Sequence, residues 1–223
     1  MIKTSRFIAL GIALSGALIT SSASASLISV TGPLSSTGTA AEIIAAPDNI
    51  LDDVVTNLAQ QGFDEAQGVL TSVDFGIDGG GIISAGTLVD SHMIFLNSAG
   101  GTDITHFNVQ WTFDGTILGV MSDSGGTLES ASTSELGAPG TNYTTPFPGS
   151  GPAAPFPARG LEGGGDGYVI SGNVLTLSMH VTEPGDWIRV VTAATPVPEP
   201  ATLTLMLLGL AGLGFSGVHR KSS

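Results

Sequence analysis

Cysteine is absent from the 223-residue chain, which excludes disulfides, thiolate metal sites and a cysteine nucleophile together. Basic charge is scarce. Six Lys and Arg stand against 19 Asp and Glu, a net charge of −13 with histidine neutral. Between residues 26 and 200 the only arginines are Arg159 and Arg189, lysine is missing, and all 19 acids are present, so that stretch carries −17. A nucleic-acid partner needs a clustered basic surface and is excluded. Such acidity keeps a body soluble through self-repulsion and repels anionic polymers. Aromatic residues are few, at 6 %, whereas glycine is abundant, with 32 residues. A hydrophobic content of 42 % suffices to bury a core, so wholesale disorder is excluded. The length suits one ordinary domain of ~100–200 residues with short appendages. No internal repeat points to a solenoid.

Long apolar runs occur only at the two ends, and both read as addresses. Lys3 and Arg6 precede the apolar run Phe7 to Ile19, and Ala23-Ser24-Ala25 supplies the small residues read by signal peptidase. Residues 1–25 therefore form a signal helix cleaved after Ala25, with Ala23 and Ala25 as the recognised positions. At the other end Ala201 to Val218 is 18 residues without a charge. As a helix this run is ~27 Å long, enough to cross one bilayer core as a transmembrane helix. Arg220 and Lys221 follow and hold that end on the cytoplasmic side, which puts the preceding domain outside. Just before the span, Val197, Pro198, Glu199 and Pro200 prevent helix and leave an extended, protease-accessible strip.

This ending of Pro198-Glu199-Pro200, apolar helix and basic tip resembles the PEP-CTERM sorting signal of Gram-negative bacteria. The resemblance covers about 27 residues, 197–223, although the tip holds only one Arg and one Lys. It implies transient anchoring in the inner membrane, processing by an exosortase, delivery to the cell surface, and a host that makes exopolysaccharide. Strings in the body, among them Phe63-Asp64-Glu65-Ala66-Gln67-Gly68-Val69, Arg159-Gly160-Leu161-Glu162 and Pro184-Gly185-Asp186-Trp187-Ile188-Arg189, are similar to exported proteins that bear the same tail. That likeness implies shared fold and export, and no catalytic residue.

The exported domain spans 26–196. Asn49 to Gln61 places Ile50, Leu51, Val54, Val55 and Leu58 at helical spacing behind a possible Asn49 cap, which predicts one short helix. The period then switches to two. Val69 to Phe75, Ile82 to Val89, His92 to Asn97, His106 to Phe113, Thr116 to Met121, Tyr168 to Ser171, Val174 to Val181 and Asp186 to Thr192 read as strands. In His106 to Phe113 the parity puts Phe107, Val109, Trp111 and Phe113 on one buried face. Asp114-Gly115 then predicts a type I′ hairpin into the next strand. Gly137 to Asp166, with six Pro and eight Gly, reads as a long irregular loop. The fold class expected is all-β, an antiparallel two-sheet, jelly-roll-like β-sandwich.

Chemistry is harder to find. No G-x-S-x-G elbow is present. His92, His106 and His180 fall on alternating strands where a solvated His is the ordinary reading, and their spacing suits no zinc site. Asp52-Asp53 and Asp64-Glu65 carry little weight among 19 acids. Asp74 to Ala85 keeps three calcium-loop positions but lacks the third acid and the bidentate twelfth, so it reads as a Gly-rich hairpin. Trp187 and Arg189, opposite in parity to Ile188 and Val190, are expected to face outward and stack as a ligand face. No cofactor or enzymatic activity is inferred. The expected role is structural or interactive at the cell surface or in the extracellular matrix, with exopolysaccharide as a candidate partner. The alternative is a carbohydrate-binding module or a weak polysaccharide-active enzyme.

Overall fold

A computed structural model describes residues 26–51, 54–100, 102–143, 159–182 and 185–194. The signal helix, the sorting motif Val197–Pro200 and the apolar run 201–218 lie outside the described residues. Among those described, no helix is long and apolar enough to cross a membrane. Among the described residues the protein is all-β with one short α-helix.

The strands are β1 (Leu27–Thr31), β2 (Glu42–Ile43), β3 (Gln61–Asp64), β4 (Val69–Leu70), β5 (Phe75–Ile77), β6 (Gly81–Ile83), β7 (Leu88–Leu96), β8 (Ile104–Phe113), β9 (Ile117–Met121), β10 (Gly167–Ser171), β11 (Val174–Val181) and β12 (Asp186–Ala193). One sheet has the order β1-β8-β11-β10. A six-stranded sheet has the order β2-β3-β7-β12-β9, with β4 continuing the β3 edge of β7. All pairings are antiparallel except the short β2–β3 contact. The apolar faces of the two sheets meet in one core, where Val109, Trp111, Phe113, Leu175, Leu177 and Met179 face Ile94, Leu96, Ile188 and Val190.

The six-stranded sheet is covered on its other face too, by the helix α1 (Thr127–Leu136), the β5–β6 hairpin and the segment around Ile50. That is why β7 and β12 are buried almost end to end instead of in alternation. Close approach sets Gly62, since a Cβ there would lie 2.5 Å from the Trp111 ring.

Four expectations are corrected. The helix is Thr127–Leu136, and the described residues of 49–61 form no helix. Asn49 Oδ1 instead accepts Leu51 N–H at 2.7 Å, a local turn, while Val54 and Leu58 stay exposed. The Ile82–Val89 strand is broken at Ala85-Gly86, and Leu88–Leu96 runs through as one strand. Asp114-Gly115 joins no hairpin: β8 and β9 belong to different sheets, and neither residue has positive φ. A Cβ at Gly115 would collide with the Ala193 carbonyl, so close packing is what requires that glycine. Finally, Asn108 has φ 56°, and β8 places two residues, Phe107 and Asn108, between His106 and Val109 where β11 places one, Ser178, between Met179 and Leu177. This bulge reverses the phase, turning His106 inward and leaving Phe107 38 % exposed.

Trp111→Ala should lower stability by ~3–5 kcal/mol, the range for emptying a large aromatic site. Trp111 is fully buried and its Nε1 donates to Gln60 Oε1 at 2.9 Å. Phe107→Ala should change the urea midpoint little, and equal midpoint shifts for the two variants would contradict the bulge.

Candidate functional site

The two arginines of the exported stretch are both inside. Arg189 on β12 has no solvent exposure. Its Nε and Nη2 grip Glu65, just past β3, in a bidentate pair at 2.7 and 2.8 Å. Its Nη1 donates to the Glu129 carbonyl at 2.5 Å, to Ser132 Oγ at 2.6 Å and to Thr133 Oγ1 at 3.1 Å. Nη2 also lies 3.3 Å from Glu129 Oε1. Ser91 Oγ donates to Glu65 at 2.8 Å. The inner face of α1 is therefore polar because it is built around a guanidinium.

Arg159 completes the set. Its Nη2 pairs with Glu129 Oε2, its Nη1 donates to the Tyr143 carbonyl at 3.2 Å, and its guanidinium lies 4.3 Å from the Trp187 ring. Burial and the like charge of Arg189 push the Arg159 pKa down to about 10, with Asp123 opposing, so it stays charged at neutral pH. Two arginines against two glutamates balance, and a paired, dry network of this kind fastens elements together without leaving a spare acid or base. The outward ligand face expected of Trp187 and Arg189 is thus corrected. They do oppose Ile188 and Val190, but α1 and the Tyr143 region cover that side, and Trp187 stacks on Arg159, not Arg189. Trp187 is 2 % exposed and its Nε1 donates to Asn97 Oδ1 at 2.7 Å.

Two of the three histidines are buried as well, which corrects their solvated reading. His92 has Asp64 Oδ1 2.8 Å from Nδ1 and Thr192 Oγ1 3.1 Å from Nε2. The sequence of acid, imidazole and hydroxyl is that of a nucleophilic triad. Thr192, however, is completely buried and held in β12 between β7 and β9, so its hydroxyl meets no substrate. Asp64 also accepts Leu27 N–H at 2.9 Å, so the trio pins the start of β1 to the six-stranded sheet. His106 accepts Gln60 N–H on Nδ1 at 3.0 Å and faces the Pro33 carbonyl from Nε2 at 3.0 Å. That pattern requires the neutral Nε2–H tautomer, and burial lowers its pKa accordingly. His180 is half-buried beside Asp103.

The calcium-like stretch is the β5–β6 hairpin, with Asp78 to Gly80 as its turn. Asp74 accepts Ala85 N–H at 2.8 Å, and Asp78 accepts from Ser122 and from Tyr168 Oη. Both carboxylates therefore serve the fold. Among the described residues no group of three or more His, Asp and Glu is placed to hold a metal ion.

Asp186, at the start of β12, is 2 % exposed and its Oδ2 meets no donor. Burial first, then the charges of Asp166 and Glu162 and a hydrogen bond to Asp166, push its pKa up to about 9. These causes favour the protonated carboxylic acid at neutral pH.

Residues 196–221 match the family model of the PEP-CTERM protein-sorting motif. The chain carries a PEP-CTERM sorting motif. No curated protein and no solved structure matches it. The PEP-CTERM match marks the protein as exported to the cell envelope and as consistent with an exosortase substrate. It lies outside the described residues, as do Ala23 and Ala25.

Of the residues in the buried network, Arg159, Arg189 and Glu65 stand in strings already noted in the sequence. Glu129 does not. Its helix reads Thr-Leu-Glu-Ser-Ala-Ser-Thr-Ser-Glu-Leu, with no apolar stripe to reveal it. The one available signal was scarcity, since two arginines among 19 acids have many partners to choose from.

Arg189→Ala should cost ~3–5 kcal/mol, because it strands Glu65 and part of Glu129 in a dry site. A urea midpoint unchanged from the parent would contradict the network. Asp186 gives a separate, pH-dependent expectation. The folded state keeps a proton that the unfolded chain releases near pH 3.8. Its contribution is complete below that value and declines as pH rises toward about 9, by at most ~1.4 kcal/mol per pH unit. Asp186→Asn should lose less stability than the parent between pH 5 and pH 8 in urea titrations, and parallel pH dependences would refute the protonated acid.

Proposed function

We propose that this is an exported structural or interaction protein of the cell surface or extracellular matrix, without enzymatic activity, passed to an exosortase through its C-terminus. The PEP-CTERM motif at residues 196–221 carries this reading. The placement of the fold supports it. Every described element lies between Leu27 and Ala193. Cleavage after Ala25 and a cut near Val197–Pro200 would therefore remove nothing that the sheets use. The transmembrane run 201–218 then acts as a transient anchor, and residues 26–196 are the cargo. The buried arginines, glutamates and histidines, committed to packing and hydrogen bonds, support a passive body over a reactive one.

Mass spectrometry of the protein recovered from the cell surface should find an N-terminus at Ser26 and no residues from Ala201 to Ser223. Recovery of an intact Arg220-Lys221 end from surface material would overturn the sorting reading.

A further inference from the structure

We propose that the outer face of the four-stranded sheet is a binding site for a neutral polysaccharide. This goes beyond surface delivery and rests on it only for access to such a polymer. The first observation is electrostatic. β1, β8, β10 and β11 contain no Asp, Glu, Lys or Arg at all, although residues 26–200 carry −17. In the other sheet β2, β3, β7 and β12 all carry ionisable acids or Arg189.

The second observation is chemical. Register and burial turn Ser29 and Thr31 of β1, Asn108, Gln110 and Thr112 of β8, and Thr176 and Ser178 of β11 to the outside. These are uncharged hydroxyls and amides, each able to donate and accept. A polymer of neutral hydroxyls has the same character. With strands ~4.8 Å apart, the four-stranded face is roughly 14 Å across, wide enough for a short run of sugar rings.

The third observation is shape. The bulge at Asn108 brings Phe107 to the surface, beside Gly165 and His180. Next to it a shallow, open depression of about 300 Å³ lies between Asn108, Tyr168, Val169, Thr176 and Ser178. An exposed ring offers an apolar platform for the C–H face of a sugar, and the depression offers polar groups around it. A protein partner suits this face poorly. Stable protein interfaces bury over ~1,000 Å² around an apolar centre, whereas the exposed large apolar side chains of these strands are Ile28, Phe107, Val169 and Ile170, spread from one edge strand to the other with hydroxyls and amides between them. Charge is confined to one end of the face, where His180 meets Asp103 and its N–H meets Asp166, so an anionic polymer finds no Lys or Arg on these strands to pair with.

The test is affinity electrophoresis of the full chain in mild detergent, in gels containing dextran, laminarin or galactomannan, with anionic alginate as the contrast. At least one neutral polymer should slow the protein and alginate should not. Phe107→Ala should weaken that retardation by about tenfold, as should Thr176→Glu, which puts a charge in the middle of the face. Leu58→Ala, outside this sheet, should leave it unchanged. Urea midpoints of the variants show whether each remains folded, and Gln110→Ala serves in place of either that does not. Lack of retardation by all three neutral polymers would overturn the proposal, as would equal retardation by alginate, or folded Phe107→Ala and Thr176→Glu proteins that bind like the parent. The termini of the surface form report on delivery separately, so either reading can fail alone.

Discussion

The bidentate pairing of Arg189 with Glu65 is the contact on which the rest of the architecture depends. Burying either ion alone costs several kcal/mol, and only full satisfaction of the guanidinium makes the site tolerable. Arg189 achieves this with groups from α1 and from Glu65, the residue after β3, which Ser91 of β7 supports in turn. A single side chain therefore dictates where the helix docks and which loops close over the six-stranded sheet. Arg159 repeats the device from the far side, bringing its own segment against Glu129 and Trp187.

A protein without cysteine needs other staples for its long connections, and buried amides provide them. Gln60 reaches the His106 carbonyl at 2.9 Å while its Oε1 holds Trp111. Asn97 donates to the carbonyls of Ile50 and Val55 and accepts from Trp187. Asn57 accepts Asn97 N–H at 2.6 Å and donates to the Phe95 carbonyl. These side chains hold the described residues of 44–60 in irregular form, because their backbone groups find amide partners where a helix would have required its own. The same logic explains why the apolar spacing of 49–61 produced no helix.

Charge is sorted by location. Arg159 and Arg189 are drawn inside against Glu65 and Glu129, and several other acids are used as backbone acceptors. One whole sheet is left without charge.

Sequence alone determined the sorting motif, the all-β class and most strand positions, because these depend on local order: Pro-Glu-Pro before an apolar run with a basic tip, and alternation between Gly and Asp breaks. Strands β8 to β12 are legible for that reason. It did not determine which faces are covered, since parity says only that two faces differ, and β12 has an apolar core on one side and Arg189 on the other. Nor did it locate α1, whose inward side is hydroxyl and carboxylate. The bulge at Asn108, the partners of both arginines and the proton on Asp186 were decided by tertiary structure alone. Each depends on groups brought together from distant parts of the chain, in a dry interior where an unpaired charge could not remain.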